Sequence, residues 1–300
     1  MIGTAGGGTA CVVVLNWNSS ESTLACLDAL AFVPEEHVLV VDNASRPSQV
    51  AQLEEGLRAR ASRLLRSPDN LGYAAGMNRG MREARTEGYS HALLLNPDTL
   101  PTKDVVDAML AQIPSGAAVV GTAQTAGLSP DAPQGRYTAA ATKHRAKMRA
   151  VDCDGCPAGV HDVDVVSGAA LLVDLRVAEQ VGYMDESYFH YKEEVDFCVR
   201  VRLTGERVRF CCAYALRHER GGSLSHRSPM AHYYATRNEL LFVRRFYGWL
   251  ELLRMPRLVA SLLLAFVPVR GGAHARSVRL GVWHALRGVT GHLATPVWMS

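Results

Sequence analysis

A chain of 300 residues, 48% of them apolar and 20% charged, has the composition of a folded globular protein and excludes the disordered, collagen-like and coiled-coil classes. Thirty-two Lys and Arg against 29 Asp and Glu leave a formal net charge of +3, too mild to signal nucleic-acid binding. Seven cysteines, an odd number and mostly inside apolar runs, fit buried reduced thiols and a cytoplasmic setting better than a disulfide framework.

Residues 1–9 lack the charged region and apolar stretch of a signal peptide and read as a flexible leader. Short apolar runs follow at residues 11–16 (CVVVLN), 37–42 (HVLVVD), 91–96 (HALLLN) and 117–121 (AAVVG), with the length and β-branched content of buried parallel strands. Helical patterns lie between them. One starts at Ser19 or Ser20 and carries Leu24, Leu27 and Leu30 on a stripe, one spans roughly residues 74–84, and one follows Pro101. Strand and helix alternating in this way predict an α/β protein with a doubly wound sheet.

Residues 122–161, rich in Ala, Pro, Gly and Thr, read as a loop region over one face of the core. Regular pattern returns at 163–173 (VDVVSGAALLV), followed by a short helix, a helix at 193–203 and a strand at 207–212. The twelve-residue apolar run 258–269, edged by arginines, is too short to span a bilayer, for which about twenty residues are needed. It reads as a helix packed on the domain or on a second copy in a homodimer, with peripheral contact at a membrane surface as the alternative.

In open α/β sheets ligands bind at the carboxyl ends of the strands, and here those ends are polar. Asn16–Trp17–Asn18, Asp42–Asn43, Asn70–Leu71–Gly72 and Asn96–Pro97–Asp98 gather amides and carboxylates on one edge, which predicts a polar ligand site. Asp42 can accept from a ribose hydroxyl or base N–H, or cap its strand as an Asx turn. Asp98 offers a hard oxygen to Mg²⁺ or Mn²⁺ beside a diphosphate. The glycine-rich phosphate loops of other nucleotide-binding proteins are missing.

A second cluster, DESYFHYKEEVDFCVR at 185–200, places Glu193 and Asp196 on one helix face, with Asp196 and Arg200 at i,i+4. Acids at a helix start complement its dipole, and preceding aromatics can also tune one of them as a general base. The lone CxxC at Cys153 and Cys156, with only His161 nearby, lacks the second ligand pair of a structural zinc site.

The ordered stretches VVVLNWNSSESTLACLDAL, VLVVDNAS, NLGYAAGMNRGMREA, HALLLNPDTLP, VSGAALLVD, VGYMDESYFHYKEEVDFCVRVRLTG, HERGGS and RNELLF together resemble the family 2 glycosyltransferases, in particular the rhamnosyltransferase-like branch. The resemblance implies a GT-A, Rossmann-like nucleotide-sugar-binding fold over residues 10–245, with a mostly parallel central sheet and a helical extension at 246–300. It implies inverting transfer of a hexosyl or deoxyhexosyl group from a UDP-, dTDP- or GDP-sugar to a saccharide, lipid-linked or small-molecule hydroxyl, assisted by Mg²⁺ or Mn²⁺.

By the same resemblance Asn16, Trp17 and Asp42 meet the nucleotide, and Asn70, Gly72 and Asn78 close around the donor. Asn96 and Asp98 stand at the metal-binding Asp-x-Asp, His218 approaches the metal or diphosphate, and Arg237 neutralises phosphate charge. Glu194 takes the place of the base, with Glu193 as its substitute. Two departures stand out: Asn96 replaces the first acid, and Glu194 is one methylene longer than the usual aspartate. A nucleotidyltransferase would bring a Gly- and Lys-rich phosphate loop, whereas GGGTA precedes the first strand. A non-catalytic sugar- or membrane-binding module is the remaining alternative.

Overall fold

The structure, a computed structural model, describes residues 9–126, 159–218, 228–248 and 272–293, and the backbone of residues 2–3, 136–137, 140–144 and 147–150. In chain order the elements are β1 (Ile2–Gly3), β2 (Thr9–Asn16), α1 (Ser20–Ala29), β3 (Val38–Asp42), α2 (Pro47–Leu57), β4 (Arg63–Arg66), α3 (Gly72–Thr86), β5 (His91–Leu95), β6 (Thr99–Leu100) and α4 (Lys103–Leu110). They continue with β7 (Ala117–Ala126), β8 (Arg136–Tyr137), β9 (Ala140–His144), β10 (Lys147–Ala150), β11 (Val160–Asp162), β12 (Val165–Val166), β13 (Ala170–Asp174), α5 (Leu175–Gln180), α6 (Glu193–Leu203), β14 (Arg207–His218), α7 (Pro229–Phe246) and α8 (Ala273–Leu286).

The main sheet runs β11-β14-β7-β13-β5-β2-β3-β4. Strands β5, β2, β3 and β4 are parallel, as the unbroken apolar runs predict. Strand β13 runs antiparallel to both β5 and β7, so the second half of the sheet is mixed. Alternate residues of each central strand face opposite cores. Val13, Leu15, Leu39, Val41 and Leu94 pack under α3, while Val12, Val14, Val38, Val40 and Leu93 pack under α1, α2 and α4. Such double-sided burial is what a parallel strand requires.

Helix α3 lies close on the sheet because it presents Gly76 and Gly80 to it. A Cβ at Gly76 would stand 2.6 Å from Leu15 Cδ1, and one at Gly80 2.3 Å from Val13 Cγ1. Ser19 is the N-cap of α1, though its side chain makes no capping hydrogen bond. At α4 the cap is Thr102, whose hydroxyl accepts from the Val105 amide, so Pro101 precedes the helix instead of forming its first turn.

Three expectations change, and one run resolves into separate elements. Residues 2–3, read as leader, pair with Thr9 and Ala10 of β2. The expected loop region contains β7 as far as Ala126 and the strands β9 and β10, which join β12 in a small sheet of order β10-β9-β12. The 163–173 run is two strands, β12 and β13, separated by a turn at Gly168–Ala169. The last strand extends from Arg207 to His218, six residues past the expected end, along β7.

In the C-terminal extension, α8 packs on α7 through Leu240, Val282 and Ala285, and the Gly281 position lies against the Tyr233 carbonyl. Among the described residues no helix is long and apolar enough to cross a membrane. The apolar run 258–269 and the Cys153/Cys156 pair lie outside the described residues. The described cysteines, Cys11, Cys26, Cys198, Cys211 and Cys212, are buried and none is joined in a disulfide.

Candidate active site

At the carboxyl ends of β2, β3 and β5 a cavity of about 350 Å3 opens, its far wall formed by β14, the β12–β13 turn and the start of α6. Of the residues expected at the site, Trp17, Asn70, Gly72, Asn96, Asp98, Glu193, Glu194 and His218 line this one cavity. Asp98 and His218, 120 positions apart in the chain, are joined by the two-residue strand β6, which pairs Thr99 with His218 in the ladder.

That pairing sets His218 Nε2 3.3 Å from Asp98 Oδ1. The other ring nitrogen, Nδ1, lies 3.2 Å from Gln124 Oε1, and the Gln124 amide is oriented by donating from Nε2 to Ser167 Oγ at 3.0 Å. A neutral imidazole that donates from Nδ1 to this oxygen turns its Nε2 lone pair toward the Asp98 carboxylate. Two electron-rich atoms then face each other at about the spacing of adjacent ligands on one divalent ion. Asn96 Oδ1 is buried with no hydrogen-bond partner among the described residues. The donor set therefore fits a hard cation whose remaining positions are filled by water or a bound anion. No group of three His, Cys, Asp or Glu side chains suited to a metal occurs among the described residues, so protein carboxylates and imidazoles alone do not cage it.

Glu193 and Glu194 open α6 on the opposite wall. Glu193 is 4% exposed and its Oε2 has no partner among the described residues. Burial, and then the Glu194 charge, push its pKa well above the usual carboxylate range. Glu194 is only partly buried; its pKa is also raised, burial again being the main cause. Both carboxyls line the cavity, and the more deeply buried Glu193 is pushed further toward its protonated form than Glu194. Tyr73 reaches across this wall, its hydroxyl donating to the Gly168 carbonyl at 2.5 Å.

Four expected site residues stand elsewhere. Asn16 and Asp42 are buried beneath the cavity, and their polar atoms engage each other: Asn16 Nδ2 donates to Asp42 Oδ1 at 2.8 Å, and the Ser45 amide donates to Asp42 Oδ2. They lock the ends of β2 and β3 and do not line the cavity. Asn78 clamps the chain before residue 186, donating to the Met184 carbonyl at 2.9 Å and accepting from its amide at 3.0 Å. Arg237 is fully buried, its guanidinium donating to the carbonyls of Tyr188 at 2.9 Å and Gly291 at 2.7 Å. It has no group free for a phosphate.

Asn43, placed by the sequence on the polar edge but given no role of its own, lines the cavity and donates to Asn70 Oδ1 and the Gly72 carbonyl while accepting from the Leu71 amide. It thereby shapes the turn into α3. The signal was present, since Asn43 follows Asp42 at a strand end. Gly72 adopts φ +84°, and a Cβ there would stand 2.4 Å from the Phe189 carbonyl, so no other residue fits this approach. The aromatics expected before the acids, Phe189 and Tyr191, line the cavity with His190; Met230 and His292, the last contributed by the C-terminal extension, were not expected there.

Phe189, Tyr191 and Lys192 take φ of 64°, 70° and 78°. A left-handed backbone costs about 1–2 kcal/mol at a non-glycine residue, so the segment is held in this path by its surroundings. Apolarity and periodicity carry no trace of it.

The family described as glycosyltransferase like family 2 matches residues 8–231 of the chain. A relative is the low-salt glycan biosynthesis hexosyltransferase Agl10 of Haloferax volcanii, 25% identical over 201 residues, which are 67% of this chain and 64% of the relative. The match thus spans less than two thirds of that protein. Among solved structures, GalNAc-T7 with UDP, GalNAc and Mn²⁺ superposes with a TM-score of 0.64 at 12% identity, over 94% of this chain and 55% of that one. Residues 1–349 of S. aureus TarS with UDP-GlcNAc give 0.60 at 14% identity, over 94% and 81%. These likenesses show the GT-A fold. With the family match covering most of its length, the chain belongs to the family 2 glycosyltransferases.

Proposed function

We propose that the protein is an inverting glycosyltransferase that moves a sugar from a nucleoside diphosphate donor to an acceptor hydroxyl. One observation carries this reading: a single cavity holds the Asp98–His218 pair on one wall and the Glu193–Glu194 pair on the other. In this scheme Trp17, Asn43, Asn70 and Gly72 hold the nucleotide end, and Asp98, His218 and Asn96 Oδ1 hold Mg²⁺ or Mn²⁺. The metal, when bound, neutralises charge on the departing diphosphate; the GalNAc-T7 neighbour was crystallised with Mn²⁺. The Glu194 carboxylate takes the acceptor hydroxyl proton as the acceptor oxygen bonds to the anomeric carbon and the bond from that carbon to phosphate breaks. Glu193, more deeply buried and pushed further toward its protonated form, leaves its neighbour as the better base of the pair.

The experiment is a screen of sugar release from UDP-, dTDP- and GDP-hexoses and deoxyhexoses, with Mg²⁺ or Mn²⁺ and water or added saccharides as acceptors. Metal-stimulated release from at least one donor is expected; no release and no nucleoside diphosphate binding would remove the reading. The active donor also gives a pH profile. A base works only as the carboxylate, and burial favours the protonated form, so the acidic limb of kcat/KM lies above the ordinary glutamate value of 4.5. A limb at or below that value would show that the base is not this buried pair.

A further inference from the structure

Residues 187–191 lie outside any strand and present five successive backbone carbonyls, and buried carbonyls need donors. Asn238 Nδ2 donates to the carbonyls of Tyr188, His190 and Tyr191 at 2.9, 2.7 and 2.8 Å. Arg237 donates to Tyr188, the Gly291 amide to Ser187 at 2.6 Å and the Tyr73 amide to Phe189 at 2.7 Å. Lys192 is tied to Glu239 at 2.5 Å. Three consecutive residues of α7, Arg237, Asn238 and Glu239, therefore hold the left-handed path that ends where Glu193 begins α6.

Helix α6 has no side-chain cap, its N-cap being Lys192 at φ 78°. Its starting point is set by this clasp in place of a capping hydroxyl. Arg237 lies against the rings of Tyr233 and Tyr234, 5.3 and 4.9 Å from their centroids. By reaching Gly291 it also brings in the neighbouring His292, which stands 4.7 Å from the Phe189 ring at the cavity.

We infer that Arg237 and Asn238 are positioning residues, which act through the strained 187–192 segment to place the carboxylates of Glu193 and Glu194 and the C-terminal His292 about the cavity. This rests on the reading of Glu194 as the base. The substituted residues touch neither donor nor acceptor, so their loss acts on turnover and not on donor affinity.

The test is Asn238→Ala in the full chain, read by hydrogen exchange and by hydrolysis of the donor found active. Expected is a fall in kcat of about 10- to 100-fold with donor KM within threefold, and faster exchange confined to residues 187–192 and 291–293. A folded variant with wild-type kcat overturns the inference, as does unchanged exchange in those segments. If the variant does not fold, exchange in the wild-type protein decides: protection of amides 187–190 equal to that of α6 supports the clasp, and solvent-like exchange there overturns it. If the wild-type protein hydrolyses no donor, the functional reading fails separately and exchange in the variant alone judges the clasp.

Discussion

Replacing Glu194 by Gln lowers sugar transfer by about two to four orders of magnitude and leaves donor binding near the wild-type value. The amide keeps the size and polarity of the side chain but cannot take a proton, so only the step that needs a base is lost, and general-base catalysis has about this magnitude. Neighbouring Glu193 does not substitute fully. It is buried more deeply, and its raised pKa keeps it protonated over a wider range of pH. Single-turnover rates and nucleotide titrations of the same variant separate the two effects. A variant that retains most of its turnover would take Glu194 out of the reaction.

The second large effect is expected at Asp98. Asp98→Ala removes one of the two atoms that face each other at 3.3 Å across the proposed cation position, leaving His218 and the Asn96 oxygen. Charge stabilisation on a diphosphate by a metal is worth several kcal/mol, so donor turnover falls by about two to three orders of magnitude. Saturable stimulation by Mn²⁺ disappears, because the remaining neutral ligands cannot hold the ion at ordinary concentrations. A metal titration of activity with an unchanged midpoint would contradict the assignment.

The parts of this arrangement that were legible in the sequence are those set by local pattern. Unbroken apolar runs marked β2, β3 and β5, and the polar residues ending them pointed to the edge of the sheet at which the cavity opens. The 193–203 spacing marked α6, with its Asp196–Arg200 pair formed at 2.5 Å. Contacts between distant segments were not legible. Nothing local says that β6 will lie beside the end of β14, yet that pairing alone joins Asp98 to His218. Antiparallel insertion of β13 is equally silent, since a strand buried on both faces looks the same in either direction.

Arg237 shows a different limit. The family resemblance implied a phosphate partner, but here a helix carries Arg237 and Asn238 inward to a strained segment whose carbonyls need donors. Asp42 and Asn16 were misplaced for a similar reason. A strand-end carboxylate next to an amide can satisfy itself, and these two do so at 2.8 Å. In each case the residue type indicated hydrogen bonding correctly, and the three-dimensional neighbour decided with what.

The most direct measurement is a crystal structure of the protein with Mn²⁺ and the donor identified by the screen, or a non-transferable analogue of it. The account predicts a cation bonded to Asp98 and His218, the diphosphate on that cation, and the anomeric carbon facing the wall that carries Glu194, with room for a hydroxyl between them. A cation bound away from Asp98, or a sugar on the far side of the diphosphate from Glu194, would contradict it.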